Sequence, residues 1–234
     1  MEALLDFAKG PLFRFSFAVM ILGLVRIVVL DIWGAVNAYR RAGDKKLDWN
    51  GAIRNTLHWL FPVKHVFARR PVYSLLSIFF HIGLIVVPIF LLAHIQLWKA
   101  GIGLSWWSLP PVWADTLTLA TIGFALALLI GRMGSAGARY LSRKQDYLWP
   151  VMLIIPFITG YFCANVVLGA GTYQLLMLIH ILSGELILLL LPFSKIAHCV
   201  LMPMSQFVVA LAWKFPARVD DEICTTLHKK GAPV

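Results

Sequence analysis

Apolar residues fall in five long runs, separated by polar stretches that are mostly basic. The runs lie near residues 12–36, 72–98, 112–131, 147–168 and 173–198. A helix needs roughly 20 apolar residues to cross the hydrocarbon of a bilayer, and each run meets that length. No water reaches the backbone there, so each run must satisfy its own hydrogen bonds as an α-helix. The pattern predicts an all-α membrane protein with five transmembrane helices, read as a single membrane-integral domain over residues 1–234. A loop over 39–71 joins the first two spans, and a tail runs over 199–234.

Composition sharpens this picture. Hydrophobic residues make up 60% of the chain and charged residues 14%, against about a quarter charged in an ordinary soluble domain. The net charge of +10 is a membrane-topology signal rather than a nucleic-acid footprint, because the basic residues sit in alternate loops. Arg40, Arg41, Lys45, Lys46, Arg54, Lys64, Arg69 and Arg70 lie in the first loop, and Arg132, Arg139, Arg143 and Lys144 follow the third span. Lys214, Arg218, Lys229 and Lys230 lie in the tail, while the other two loops carry only Lys99. The expected orientation is N-terminus outside, C-terminus and basic loop in the cytoplasm, with the first helix retained as a signal anchor. Cys163, Cys199 and Cys224 form no CxxC pair, so neither an iron–sulfur cluster nor a zinc site is encoded.

Four histidines fall within the spans, where an imidazole is costly unless something binds it. His180 and His198 are eighteen residues apart. On one continuous helix that is five turns and about 27 Å, with both rings on one face. His81 and His94 occupy the second span. Antiparallel topology pairs His81 with His198 toward the cytoplasm and His94 with His180 toward the outside. Two such pairs suit two haems b, the histidines serving as axial iron ligands between the second and fifth helices. Thirteen residues separate His81 from His94, which leaves their rings about 140° apart on an ideal helix. Pro88 lies between them and is expected to kink or widen that helix. The bland alternative is a hydrogen-bonded core histidine and an interfacial one.

Other residues carry paired readings. Arg26 either meets a haem propionate or another helix, or snorkels to the interface near Asp31. Asp115 is a solvated carboxylate at a helix start or a proton acceptor for a quinol. Glu185 stands in the apolar middle of the fifth span and is expected to stay protonated, as a proton relay or as a hydrogen-bond donor to a neighbouring helix or ligand. His58 and His65 belong to the basic loop and are read as interfacial, His58 on a surface helix over residues 49–60. Trp98, Trp106, Trp107 and Trp113 form an aromatic belt at the outer interface. Gly123, Gly160 and Gly184 are positions for close approach of helices or porphyrin, and Pro150 and Pro156 suggest a bend near a cofactor.

The stretch ELILLLLPFSKIAH, ending in His198, resembles the last helix of the respiratory nitrate reductase gamma subunit. LSIFFHIGLIVVPIFLLAH resembles its second helix, with His81 as the FHIG histidine, and Arg26 matches an arginine late in its first helix. ARYLSRKQDYLWPVML resembles the turn into the fourth helix in related cytochrome b subunits of sulfite-reduction and heterodisulfide-reductase-like complexes. The resemblance spans nearly the whole chain. It implies five helices, two b-type haems, chemistry with menaquinol or another quinol near the outer haem, and cytoplasmic iron–sulfur or catalytic partner subunits. The second-helix histidines stand wider apart than in nitrate reductase, and Ala114 and Asp115 stand where that subunit has a basic residue near its quinol. The resemblance therefore points to a gamma-like subunit of another quinone-linked respiratory complex.

Together these readings predict a dihaem cytochrome b subunit of the cell inner membrane. It would pass electrons between membrane quinone and a cytoplasmic partner, in either direction, with no catalytic residue of its own. Two alternatives stand beside it: a cofactor-free anchor for a redox complex, and a proton-coupled transporter. Against the transporter, no internal repeat is visible.

Overall fold

A computed structural model describes residues 1–41, 49–60, 70–212 and 219–229. The candidate His65 lies outside these residues. The protein is all-α among the described residues, and five helices are long and apolar enough to cross a membrane. It is a multi-pass membrane protein.

In chain order, α1 is Glu2–Arg41, with a π-helical turn at Ala8–Leu12. α2 is Trp49–Leu60, α3 Pro71–Phe90, α4 Leu92–Ile102, α5 Pro111–Gly134 and α6 Ala136–Leu141. α7 is Lys144–Asn165, α8 Ala170–Leu190, α9 His198–Ala212 and α10 Val219–Thr226. Prolines open two of the spans, Pro71 in α3 and Pro111 in α5, at positions where their missing N–H would have no partner in any case. Pro11 sits in the π-helical turn of α1, a register that tolerates a missing backbone donor. Asp146 starts α7 by accepting the Arg143 backbone N–H at 2.8 Å.

Two expected spans are not single helices. The run over 72–98 breaks at Leu91, which is extended (φ −72°, ψ 128°) between α3 and α4. Pro88 lies within α3, where it gives no N–H to Leu84, and the helix ends soon after it at Phe90. The run over 173–198 leaves the α-helix at Leu190, passes through 3₁₀ turns at Leu191–Phe193 and Lys195–Ala197, and restarts at His198. Between those turns Ser194 is extended (φ −127°, ψ 179°) and its hydroxyl accepts the Ile196 N–H at 3.3 Å. The five-turn phase relation expected between His180 and His198 therefore does not hold, because no continuous helix joins them.

The chain forms two compact units, one of Met1–Met20 with Val63–Leu191 and the other of Ile21–Pro62 with Pro192–Val234. In the first, α3 packs on α5, α5 on α7, α7 on α8, and the first turns of α1 on α8. Phe80, Ala125 and Ile154, from α3, α5 and α7, make the buried centre of that packing, with Leu84, Ile122, Phe124, Leu128 and Leu153 around it. Gly83 lets α3 close onto α5, since a Cβ there would overlap the Thr121 hydroxyl. Phe13 and Phe17 of α1 meet Trp98 of α4 edge-on, at 5.8 Å and 4.7 Å between ring centres. In the second unit α9 packs on α2, with Trp49 and Phe207 6.2 Å apart.

Candidate functional site

The break after α3 exposes backbone carbonyls, and each finds an unusual donor. Pro88 O accepts from His94 Nδ1 at 3.0 Å, Ile89 O from Trp106 Nε1 at 2.9 Å, and Phe90 O from the Leu109 backbone N–H at 2.9 Å. A helix end within a membrane must satisfy such groups from the protein. Here the loop before α5 folds back to do so. The imidazole of His94 is thus held by the very carbonyl that the break exposes.

His94 faces His180 of α8. Their ring centres are 5.8 Å apart and their planes 14° from parallel. His180 Nδ1 in turn donates to Pro156 O of α7 at 2.8 Å, with the Thr159 hydroxyl 3.4 Å away. In both rings the Nδ1 hydrogen bond to a carbonyl assigns that nitrogen the proton and leaves the lone pair on Nε2. A metal-binding histidine is held in the same way, with its second nitrogen bonded to a carbonyl or carboxylate. Gly160 makes room for this arrangement, because a Cβ there would lie 2.8 Å from His180 Cε1 and 3.0 Å from Nδ1. No Cβ at Gly123 or Gly184 would meet anything within 4 Å among the described residues, so of the three glycines expected at close approaches Gly160 is the one that makes such contact.

The other predicted residues distribute as follows. His81 is half-buried in α3 and donates Nδ1 to Ser77 O at 2.6 Å. His198 opens α9 in the second unit, exposed, with Nδ1 bonded to Lys195 O at 2.8 Å. Asp115, near the start of α5, accepts from Asn165 Nδ2 at 2.9 Å and so ties α5 to the end of α7. Glu185 is buried, and it stands about 140° around α8 from His180, away from the His94 pair. Arg26 is exposed and Asp31 half-buried with one carboxylate oxygen unpartnered, and no ion pair joins them. His58 lies exposed on α2. Among the described residues no three His, Cys, Asp or Glu side chains gather as a metal-binding group.

Sequence reasoning missed two contributors, Trp106 as a donor to the broken helix and Thr159 beside His180. Trp106 carried the belt signal alone, and Thr159 carried none. Pro156, singled out for bending, matters through the carbonyl it presents.

A protein of Nitratidesulfovibrio vulgaris, described simply as "Protein", is 31% identical over 204 residues, covering 86% of this chain and 89% of its own. No protein-family model and no solved structure matches the chain.

Proposed function

The chain belongs to one family with the Nitratidesulfovibrio vulgaris protein, and we propose that it is a dihaem b-type cytochrome subunit linking membrane quinone to a cytoplasmic redox partner. The observation that carries this reading is the facing pair His94 and His180, each with Nδ1 tethered to a backbone carbonyl.

The pair fits an iron between two imidazoles. Two imidazoles that shared a metal through one nitrogen each, at about 2 Å per bond, would have ring centres about 6 Å apart, close to the 5.8 Å between these stacked rings, which would turn their Nε2 atoms toward one another to bind it. Two protein ligands are too few to hold a bare ion, since structural metal sites use about four. They suffice for a metal whose remaining positions a porphyrin fills. A haem with two histidine ligands supplies one-electron transfer without an open coordination position. His94 and His180 would hold the iron, Pro88 O and Pro156 O fix the ring tautomers, and Gly160 clears space beside His180.

A second haem on His81 and His198 rests on the sequence pattern alone. Arg26, exposed at membrane depth, suits a propionate. Asp115, bonded by Asn165, is the candidate acceptor for a quinol proton. The location is the cell inner membrane, with iron–sulfur or catalytic subunits meeting the basic cytoplasmic face.

The test is a reduced-minus-oxidised absorption spectrum with haem quantified per chain. Two haems b are expected, falling to one in His94→Ala and one in His198→Ala. A featureless spectrum of the folded protein sinks the proposal and leaves the cofactor-free anchor. Two haems retained in His94→Ala would exclude it as a ligand.

A further inference from the structure

The first unit takes only the start of α1, Met1–Met20. Leu5, Ala8, Phe13 and Ser16 are buried there, and no later residue of that helix is buried. Lipid contact would leave such side chains open, so this stretch is enclosed by protein. Its first turns pack on α8, the helix that carries His180.

Its other neighbour is α4, the helix that carries His94. Phe13 and Phe17 stack one turn apart, and both meet Trp98 edge to face, at interplanar angles of 89° and 88°. That is an arrangement aromatic rings prefer. One turn further along α4, a Cβ on Gly101 would stand 3.3 Å from Phe13 Cε1, so glycine lets the two helices close. His94, Trp98 and Gly101 fall at positions i, i+4 and i+7, on one stripe of α4. The start of α1 therefore grips the same stripe that presents His94 to His180.

The direction of α4 is not inherited from its neighbours in sequence. The helix is eleven residues long, opens after the extended Leu91 and ends at Gly103, which is left-handed (φ 78°). Neither end runs straight on into another helix. The bond from His94 Nδ1 to Pro88 O lies within the same span, so it ties the ring to the break and leaves the approach to α8 unset. The start of α1 meets both helices and supplies what that bond cannot.

We propose that the start of α1 is a brace that holds α4 against α8, and that Phe13, Phe17 and Trp98 are positioning residues for the His94–His180 pair. They act through the helices that carry the two imidazoles, setting how near and how parallel the rings stand. The consequence for cofactor binding rests on the cytochrome reading; the brace itself does not.

Spin labels test it in the full-length protein in lipid vesicles. With Cys163, Cys199 and Cys224 replaced by serine, Lys99→Cys on α4 and Tyr173→Cys on α8 take nitroxides at exposed positions. Pulsed electron resonance then reads the distance between them, with or without haem. The brace predicts one narrow distribution. Phe17→Ala should broaden it, and Phe17→Tyr, which keeps the ring, should leave it narrow. Phe15→Ala, the same change at an exposed position of the same helix, should also leave it narrow. A broad distribution with Phe17 intact overturns the brace, and no Phe17 variant need fold for that result. A distribution that stays narrow in Phe17→Ala overturns it too. With haem bound, Phe17→Ala should shift the low-spin resonance of the His94–His180 haem, which responds to the angle between the imidazole planes. An unmoved resonance overturns the positioning role. Haem-free protein with a narrow distribution that Phe17→Ala broadens sinks the cytochrome reading and keeps the brace; two haems with a broad distribution do the opposite.

Discussion

Gly160 shows how little space the histidine pair has to spare. An alanine methyl there would stand 2.8 Å from His180 Cε1, closer than packed carbons approach. The ring is tethered to Pro156 O and cannot retreat without losing that bond. Gly160→Ala is therefore expected to lower stability by about 1–3 kcal/mol, the usual range for overpacking, and to weaken or remove one haem. Thermal unfolding and haem content measured together check it; a variant with unchanged melting and two haems would mean that His180 has room the geometry denies. Thr159 makes a milder case, its hydroxyl 3.4 Å from His180 Nδ1 and bonded to Ile155 O at 2.8 Å. Thr159→Val keeps the shape and removes the hydroxyl. It should leave haem content at two while shifting the midpoint potential of the outer haem, read by redox titration of the absorption band.

The broken second span is what brings His94 to His180, and a loop holds the break open. Trp106 donates to Ile89 O and the Leu109 N–H to Phe90 O; without them those carbonyls would lose these partners. Trp106→Phe keeps the ring and removes the indole donor, so one carbonyl is orphaned at about 1–3 kcal/mol. The expected result is selective loss of the haem whose ligand is His94, with the other retained, seen as one absorption component disappearing from the difference spectrum. Unchanged spectra would show that the break stands without the loop. These elements also mark where the chain could be read directly and where it could not. Five spans and the surface helix over Trp49–Leu60 follow from the local pattern, while the second and fifth spans break short of their expected ends. Pro88 announced a bend, but the extended residue is Leu91, and two of the three donors that stabilise the break come from 17 residues on or more. The early end of α8 at Leu190 is similar: Pro192 was in view, yet the tract remained apolar through the 3₁₀ turns, so hydropathy gave no boundary.

Orientation governs every assignment of inner and outer haem, and it rests on charge asymmetry in short loops. The end of α5, the turn after it and the start of α7 carry Arg132, Arg139, Arg143 and Lys144, whereas residues 166–169 between α7 and α8 carry no charge. Both turns offer a side chain that stands free for chemical tagging: Tyr140 is 92% exposed and Val167 102%. In a background with Cys163, Cys199 and Cys224 replaced by serine, Tyr140→Cys and Val167→Cys place one thiol on each side. A membrane-impermeant maleimide added to intact right-side-out vesicles should label Val167→Cys and spare Tyr140→Cys until the membrane is permeabilised. Inverted vesicles should give the reverse. Labelling of Tyr140→Cys from outside would turn the molecule over: His94 and His180 would then lie at the cytoplasmic face, a quinol oxidised near Asp115 would release its protons inward, and the basic surfaces proposed to meet soluble partners would point away from them.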